Sequence, residues 1–344
     1  MQQLAFLEPG RLAWTEAPEP RLEGPGEALV RPLAVTTCDL DQAIIRGRFP
    51  LAGPFPLGHE FVAEVIETGD AVTGVARGER VVVPFQISCG TCARCRQGLT
   101  SSCLSAPSRA AYGLGPIGGL GWGGALADLV RVPFADAMLL RLPAAVKPTA
   151  IACASDNLCD GWRTVGPFLA GEPGADVLVV GGFAFSIGLY AVAVARALGA
   201  GRVVYLDPDP AHGAVAERLG AEVRVEAYPR RAGEFPITVD ASGDQAGLAC
   251  ALRSVTPYGV CTSVGIYLGP DTPVPLFEMY GRGVRFVTGR VNARASLPAV
   301  LELVASGRLD PEPVNTAIVP WADAIDGLLE GGLKPVIVRD LAGT

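Results

Sequence analysis

Asp176-Val177-Leu178-Val179-Val180-Gly181-Gly182-Phe183-Ala184-Phe185-Ser186-Ile187-Gly188 is the stretch whose reading decides the fold. Residues 177–180 are short, apolar and mostly β-branched, as in a buried strand. Gly181-Gly182 interrupts them, and an Ala-rich helical run follows. Strand, tight turn and helix in this order make a seat for a pyrophosphate, because the N–H groups and dipole of a helix N-terminus favour an anion. Gly181, Gly182, Ser186, Ile187 and Gly188 are therefore candidate cofactor contacts. The glycine pattern is irregular. With Gly188 as the third glycine of G-x-G-x-x-G, Phe183 and Phe185 occupy the first two positions, so Gly181 and Gly182 supply the turn differently. An ordinary strand-to-helix turn without a ligand is the plain alternative.

Outward from this turn, strand-like and helical runs alternate: helix 186–199, strand 202–207, helix 211–219, strand 237–241, helix 244–255, and strands at 260–266 and 284–288. Such alternation predicts βαβ units and a parallel sheet. Asp207 ends the second strand, nineteen residues past Gly188, where a carboxylate accepts both ribose hydroxyls of NAD and repels the 2′-phosphate of NADP. NAD(H) is thus expected over NADP(H); a turn former before Pro208 is the competing role for Asp207. Gly265 and Ile266, closing the run 260–266, join the candidate cofactor contacts. Residues 1–150 instead read as short strands punctuated by Gly and Pro, a barrel-like β half.

A chain of 344 residues is too long for one ordinary core and suits two domains. Its 49% hydrophobic and 18% charged residues exclude a disordered chain. The net charge of −7 argues against a nucleic-acid surface. Of 28 basic residues only Lys147 and Lys334 are lysines, which reads as coding bias and not function. Residues 177–195 carry no charge and are long enough to span a bilayer, but their strand-turn-helix order argues against a membrane segment. Residues 1–14 show no basic-then-apolar export signal, so a cytoplasmic protein is expected.

Nine cysteines in such a chain do not suggest a disulfide framework. Cys89, Cys92, Cys95 and Cys103 fall within fifteen residues, a spacing that can wrap one tetrahedral Zn²⁺. Four protein ligands leave no open position, so this zinc is expected to be structural. Two disulfides, or four free thiols on a loop, are the bland alternative.

At this point the chain resembles the zinc-containing medium-chain alcohol dehydrogenases over nearly its full length. The residues that carry the resemblance are Gly58-His59-Glu60, the four-cysteine lobe, the strand-turn-helix at 176–199 and Val239-Asp240-Ala241-Ser242-Gly243. The segment 84–92 resembles the branch that includes formaldehyde and threonine dehydrogenases. The resemblance implies an α/β architecture: a GroES-like β-rich catalytic domain (1–152 and 291–344, with the zinc lobe at 86–108) and a Rossmann domain (153–290), with an active-site zinc in the cleft between them. It implies two zinc ions per chain, one catalytic and one structural. Cys38 and His59 match the first two catalytic ligands; Asp156 matches the third, with Cys159 as runner-up. Glu60 matches a carboxylate that can ligate the metal transiently. Phe85 matches a substrate-pocket wall, joined by Trp122 and Leu126; packing in the core is an equal reading for these. Homodimers or homotetramers are implied, with a small-molecule substrate and no membrane or nucleic-acid partner.

One thiolate, one imidazole and one carboxylate leave the fourth position of Zn²⁺ open for a substrate oxygen. Hydride exchange between NAD(H) and an alcohol, aldehyde or ketone with an apolar or aromatic substrate is the expected chemistry. The family's proton-relay positions, two and five residues past the first cysteine, are Leu40 and Ala43 here, and neither carries a proton. Either Thr37, Asp39, Asp41 or a zinc-bound water takes over the relay, or one of two alternatives stands: reduction of imine-like or conjugated substrates, or a non-catalytic zinc- and NAD-binding homologue.

Overall fold

The computed structural model describes residues 1–330 and 332–339. It divides into two units, one of Met1–Cys159, Asn292–Ser306 and Asn315–Thr344 and one of Asp160–Val291 and Gly307–Val314. The first unit runs past the expected 152 because Ser155 is stitched to it. The Ser155 hydroxyl accepts from Phe61 N at 2.9 Å and donates to Phe61 O at 3.0 Å. The segment after 290 does not belong wholly to one unit, since Gly307–Val314 falls in the second.

The first unit is the β-rich one. Its seven-stranded sheet runs Ala317–Pro320, Pro335–Val338, Ala28–Thr36, Glu60–Thr68, Arg80–Val83, Leu140–Arg141, with Val130–Val132 also paired to Ala28–Thr36. A smaller sheet joins Gln2–Glu8 to Arg11–Glu16 and Phe55–Pro56. Alternating apolar residues such as Val30, Phe61, Ala63, Val81 and Val83 meet Leu4, Phe6 and Tyr112 in one core. Register decides what happens at one end of the larger sheet. Thr36 pairs antiparallel with Glu60 and also with Val336. The end of one strand and the starts of two others therefore meet there, which sets Cys38, His59 and Lys334 close together.

The second unit is a six-stranded sheet in the order Glu222–Arg224, Val203–Leu206, Val177–Val180, Phe235–Asp240, Val255–Ser263, Arg285–Val287, all parallel. Counted along the chain this is 3-2-1-4-5-6, the doubly wound nucleotide-binding order. Val177–Val180 is fully buried and reads as four consecutive apolar residues, as a strand covered on both faces requires. Phe185–Ala197, Pro210–Arg218 and Gln245–Arg253 are the expected helices. The edge strand Glu222–Arg224 and the helix Leu276–Arg282 were not expected. Among the described residues no helix is long and apolar enough to cross a membrane.

Candidate metal centre and cofactor turn

The sulfurs of Cys89, Cys92, Cys95 and Cys103 lie within 4.8 Å of one another, and all nine cysteines are free thiols. Backbone N–H groups point at these sulfurs: Cys92 N to Cys89 Sγ at 3.4 Å, Cys95 N to Cys92 Sγ at 3.5 Å, and Ser105 N to Cys103 Sγ at 3.4 Å. Such donors favour thiolate over thiol. Burial works against ionising Cys89, yet bonds from Ser105, Cys92 and Thr91 outweigh it and bring its pKa down to about 5. Burial, then the neighbouring Cys92 and Cys103, push Cys95 up to about 12. Four sulfurs this close resist joint ionisation until a cation sits among them, and four soft ligands suit Zn²⁺.

The second set is assembled from distant segments. Cys38 stands at the start of the short helix Asp39–Ile45, with extended backbone at φ −83° and ψ 172°. His59 precedes the strand Glu60–Thr68, and Asp156 follows the turn Ala152–Ser155. One ligand atom from each of Cys38, His59 and Asp156 lies within 4.8 Å of the others. His59 is wholly buried. Its Nε2 faces Asp156 Oδ2 and its Nδ1 faces Asp41 Oδ2, each at 3.4 Å, and neither nitrogen has a hydrogen-bond partner among the described residues. A buried imidazole left in that state is costly unless something else engages it. Burial opposes charge on His59, but Asp41 and Cys38 outweigh it and hold its pKa well above the ordinary value. Burial, reinforced by Asp41, pushes the Cys38 thiol up to about 12. A pocket that crowds acceptors around one imidazole calls for a cation, and a sulfur, nitrogen and oxygen donor set fits zinc.

Cys159, the alternative third ligand, donates its thiol to Ala154 O at 3.0 Å, and Cys153 donates to Ala150 O at 3.6 Å. Neither joins the triad. Glu60 bonds outside the triad. Its Oε1 accepts from Asn157 N at 2.7 Å and its Oε2 from Lys334 Nζ at 2.5 Å. Burial still raises its pKa to about 7, with Lys334 opposing. Asp41, missed as a partner of His59, accepts from Cys38 N at 3.1 Å and so links two ligands. Its place three residues past Cys38 on a helix start was the available signal. Of the proposed pocket residues, Phe85 has its ring 5.5 Å from that of His59. Leu126 is a core residue, 1% exposed, and Trp122 packs partly buried against the same core.

In the second unit the turn after Val177–Val180 leaves no space for side chains. A Cβ on Gly181 would lie 2.2 Å from Tyr205 Oη and 2.5 Å from Asp207 Oδ2, and Gly182 adopts φ +149°. Phe183 N and Ala184 N donate to Ser242 O and Ala241 O, pinning the turn to the end of Phe235–Asp240. Gly188 plays the third-glycine part: a Cβ there would already touch Ala241 Cβ at 3.2 Å, so helix and sheet approach closely. Ser186 is buried, and Ile187 packs with Ala184 and Ala241. Gly265 lies beside Gly243, and Ile266 is 46% exposed. Asp207 makes its contacts within the second unit. Its Oδ2 accepts from Tyr205 Oη at 2.8 Å and pairs with His212 Nδ1 at 2.9 Å, while Oδ1 accepts from Asp209 N at 2.8 Å. Only 1% exposed, it spends its acceptors on its own chain. His212 in turn stacks on Phe185 at 4.7 Å.

Residues 24–144 match the family model of the alcohol dehydrogenase GroES-like domain, and residues 186–306 match that of the zinc-binding dehydrogenases. A probable zinc-binding alcohol dehydrogenase of Mycobacterium tuberculosis is 30% identical over 317 residues, 90% of this chain and 80% of that one. The glutathione-independent formaldehyde dehydrogenase of Pseudomonas aeruginosa is 36% identical over 234 residues, 64% of this chain; the match spans 57% of that protein. The alcohol dehydrogenase of Thermus sp. ATN1 superposes with a TM-score of 0.86 at 32% identity, covering 98% of this chain and 100% of that one. The chain belongs to the zinc-binding alcohol dehydrogenase family.

Proposed function

We propose that this protein is a zinc-dependent oxidoreductase that exchanges hydride between NAD(H) and a small alcohol, aldehyde or ketone. The observation that carries the reading is the buried triad of Cys38, His59 and Asp156, in which neither nitrogen of His59 has a hydrogen-bond partner among the described residues. Zinc held by these three would keep one position open and supply Lewis-acid polarisation of a substrate oxygen. Asp41 Oδ2, 3.4 Å from Nδ1, would favour one orientation of the imidazole through charge. The Phe85 ring beside His59 supplies an apolar wall. The start of Phe185–Ala197 offers N–H groups and a helix dipole to the cofactor pyrophosphate. With its acceptors occupied, Asp207 would act on cofactor choice through charge, repelling a 2′-phosphate.

NADH consumption against a panel of aldehydes, ketones and iminium compounds, run with and without a chelator, tests the reading. Chelator-sensitive turnover of any carbonyl is expected; NADH binding without turnover on the whole panel would overturn it. A second reading, reduction of imine-like or conjugated substrates, is favoured by the apolar side chains of Leu40 and buried Ala43 at the relay positions. Under it, Leu40→Ser leaves iminium reduction unchanged and alcohol oxidation absent.

Homo-oligomerisation through the edge at Arg285–Val287 is proposed with it. Leu276, Phe277 and Tyr280 are 67%, 88% and 84% exposed, a run of large apolar side chains that a monomer rarely leaves to water. Light scattering that gives a monomer would overturn this part alone. A cytoplasmic location remains part of the proposal.

A further inference from the structure

We propose that Lys334 is a positioning residue whose ammonium holds the three ligand-bearing segments at the spacing the metal needs. Its Nζ donates to Thr37 O at 2.7 Å, Glu60 Oε2 at 2.5 Å and Asn157 Oδ1 at 3.0 Å. Each partner is the immediate neighbour of one member of the triad: Thr37 of Cys38, Glu60 of His59, Asn157 of Asp156. One cation inside the fold therefore ties together the same three segments that a metal would tie. The inference rests on the reading of Cys38, His59 and Asp156 as a metal centre.

Four further contacts make the arrangement stiff. Asn157 N donates to Glu60 Oε1 at 2.7 Å, which joins two of the three segments directly. Asn157 Nδ2 donates to Asp156 Oδ2 at 3.2 Å. An ammonium only donates, so it fixes the oxygen of the Asn157 amide toward itself and turns the amide nitrogen to the ligand carboxylate. The backbone of Lys334 is held too, its N–H donating to Thr316 Oγ1 at 2.9 Å, and Pro335 O accepts from Thr36 Oγ1 at 2.8 Å.

The residue type fits the task. Lys334 is fully buried, and its ammonium donates to a backbone carbonyl, a carboxylate and an amide oxygen. A compact ammonium with three rotatable donors meets that demand, whereas a guanidinium is planar and bulkier. In a chain that writes nearly every other basic residue as arginine, a lysine here is a choice of shape and not of coding. Groups that orient metal ligands typically change metal affinity by about 10- to 100-fold when removed.

Zinc release tests the proposal, with the four-cysteine site as the internal control. The purified zinc-loaded protein and its variants are mixed with a colorimetric chelator, and the two release phases are timed. Lys334→Met/Glu60→Gln removes both buried charges together, and Asn157→Ser cuts one arm while leaving the ion pair intact. The first variant is expected to release the triad zinc about 10- to 100-fold faster, and the second several-fold faster, with the four-cysteine phase unchanged. Cobalt substitution should show an altered visible spectrum for the triad ion only. If the double variant does not fold, Asn157→Ser decides alone. Two zinc ions per chain with unchanged triad release in a folded variant would overturn the role of Lys334 and leave the metal centre standing. A single zinc per chain in the unaltered protein would overturn the metal centre, and this inference with it.

Discussion

Cys89, Cys92, Cys95 and Cys103 come from one fifteen-residue segment, whereas Cys38, His59 and Asp156 are gathered from three segments that together span more than a hundred residues. The difference lies in what holds the ligands. In the lobe, neighbouring backbone N–H groups aim at the sulfurs, and the chain needs little beyond its own turns. At the triad, the antiparallel register at Thr36, the Ser155 stitch to Phe61 and the Lys334 bonds do the holding. Four soft ligands would close a metal site in the lobe, while three ligands at the triad would leave one position open. A local site suits structure; a dispersed one suits chemistry, because three independent segments can each be tuned.

The comparison can be broken in several places. His59→Ala removes the only imidazole of the triad; kcat/KM should fall about 10⁴-fold, roughly 5 kcal/mol of transition-state stabilisation, with zinc dropping from two ions to one and the fold retained. Activity near that of the unaltered protein would end the claim that this set does the chemistry. Cys95→Ser should also give one zinc per chain but act on stability, lowering it by about 4 kcal/mol in urea unfolding, while the folded fraction keeps its turnover. The opposite pattern would exchange the roles of the two sites.

Finer substitutions sharpen the contrast. Asp41→Asn leaves Cys38 capped but weakens the orientation of His59; triad zinc affinity should fall about 10- to 100-fold with no change at the lobe, read by chelator competition. Asp207→Asn lies in the second unit and should touch neither zinc. It keeps the shape and removes the charge, so kcat/KM for NADPH relative to NADH should rise about tenfold, near 1.4 kcal/mol. No shift in that ratio would leave Asp207 as a purely structural acid.

Much of this was readable along the chain. The apolar run 177–180, the glycine pair and the helix after them announced the doubly wound sheet, because a strand buried on both faces has no room for polar residues. The four cysteines announced their site by spacing alone. Harder to read were Glu222–Arg224, a short half-exposed edge strand with no apolar pattern, and Leu276–Arg282, of whose large apolar side chains Leu276, Phe277 and Tyr280 remain in solvent while Met279 is buried. Asp207 was legible as an acid at a strand end, but not that Tyr205, His212 and Asp209 N would take up its oxygens.

Amino-acid order by itself determined which residue types were available for metal and cofactor, and where the two sheets begin, since hydrophobic period and cysteine spacing act over a few residues. Tertiary structure alone decided that Asp41 faces the imidazole from the side opposite Asp156 and that Glu60 pairs with Lys334. Those choices depend on strand register between segments hundreds of residues apart, and a lone buried charge is placed only by the partners that close around it.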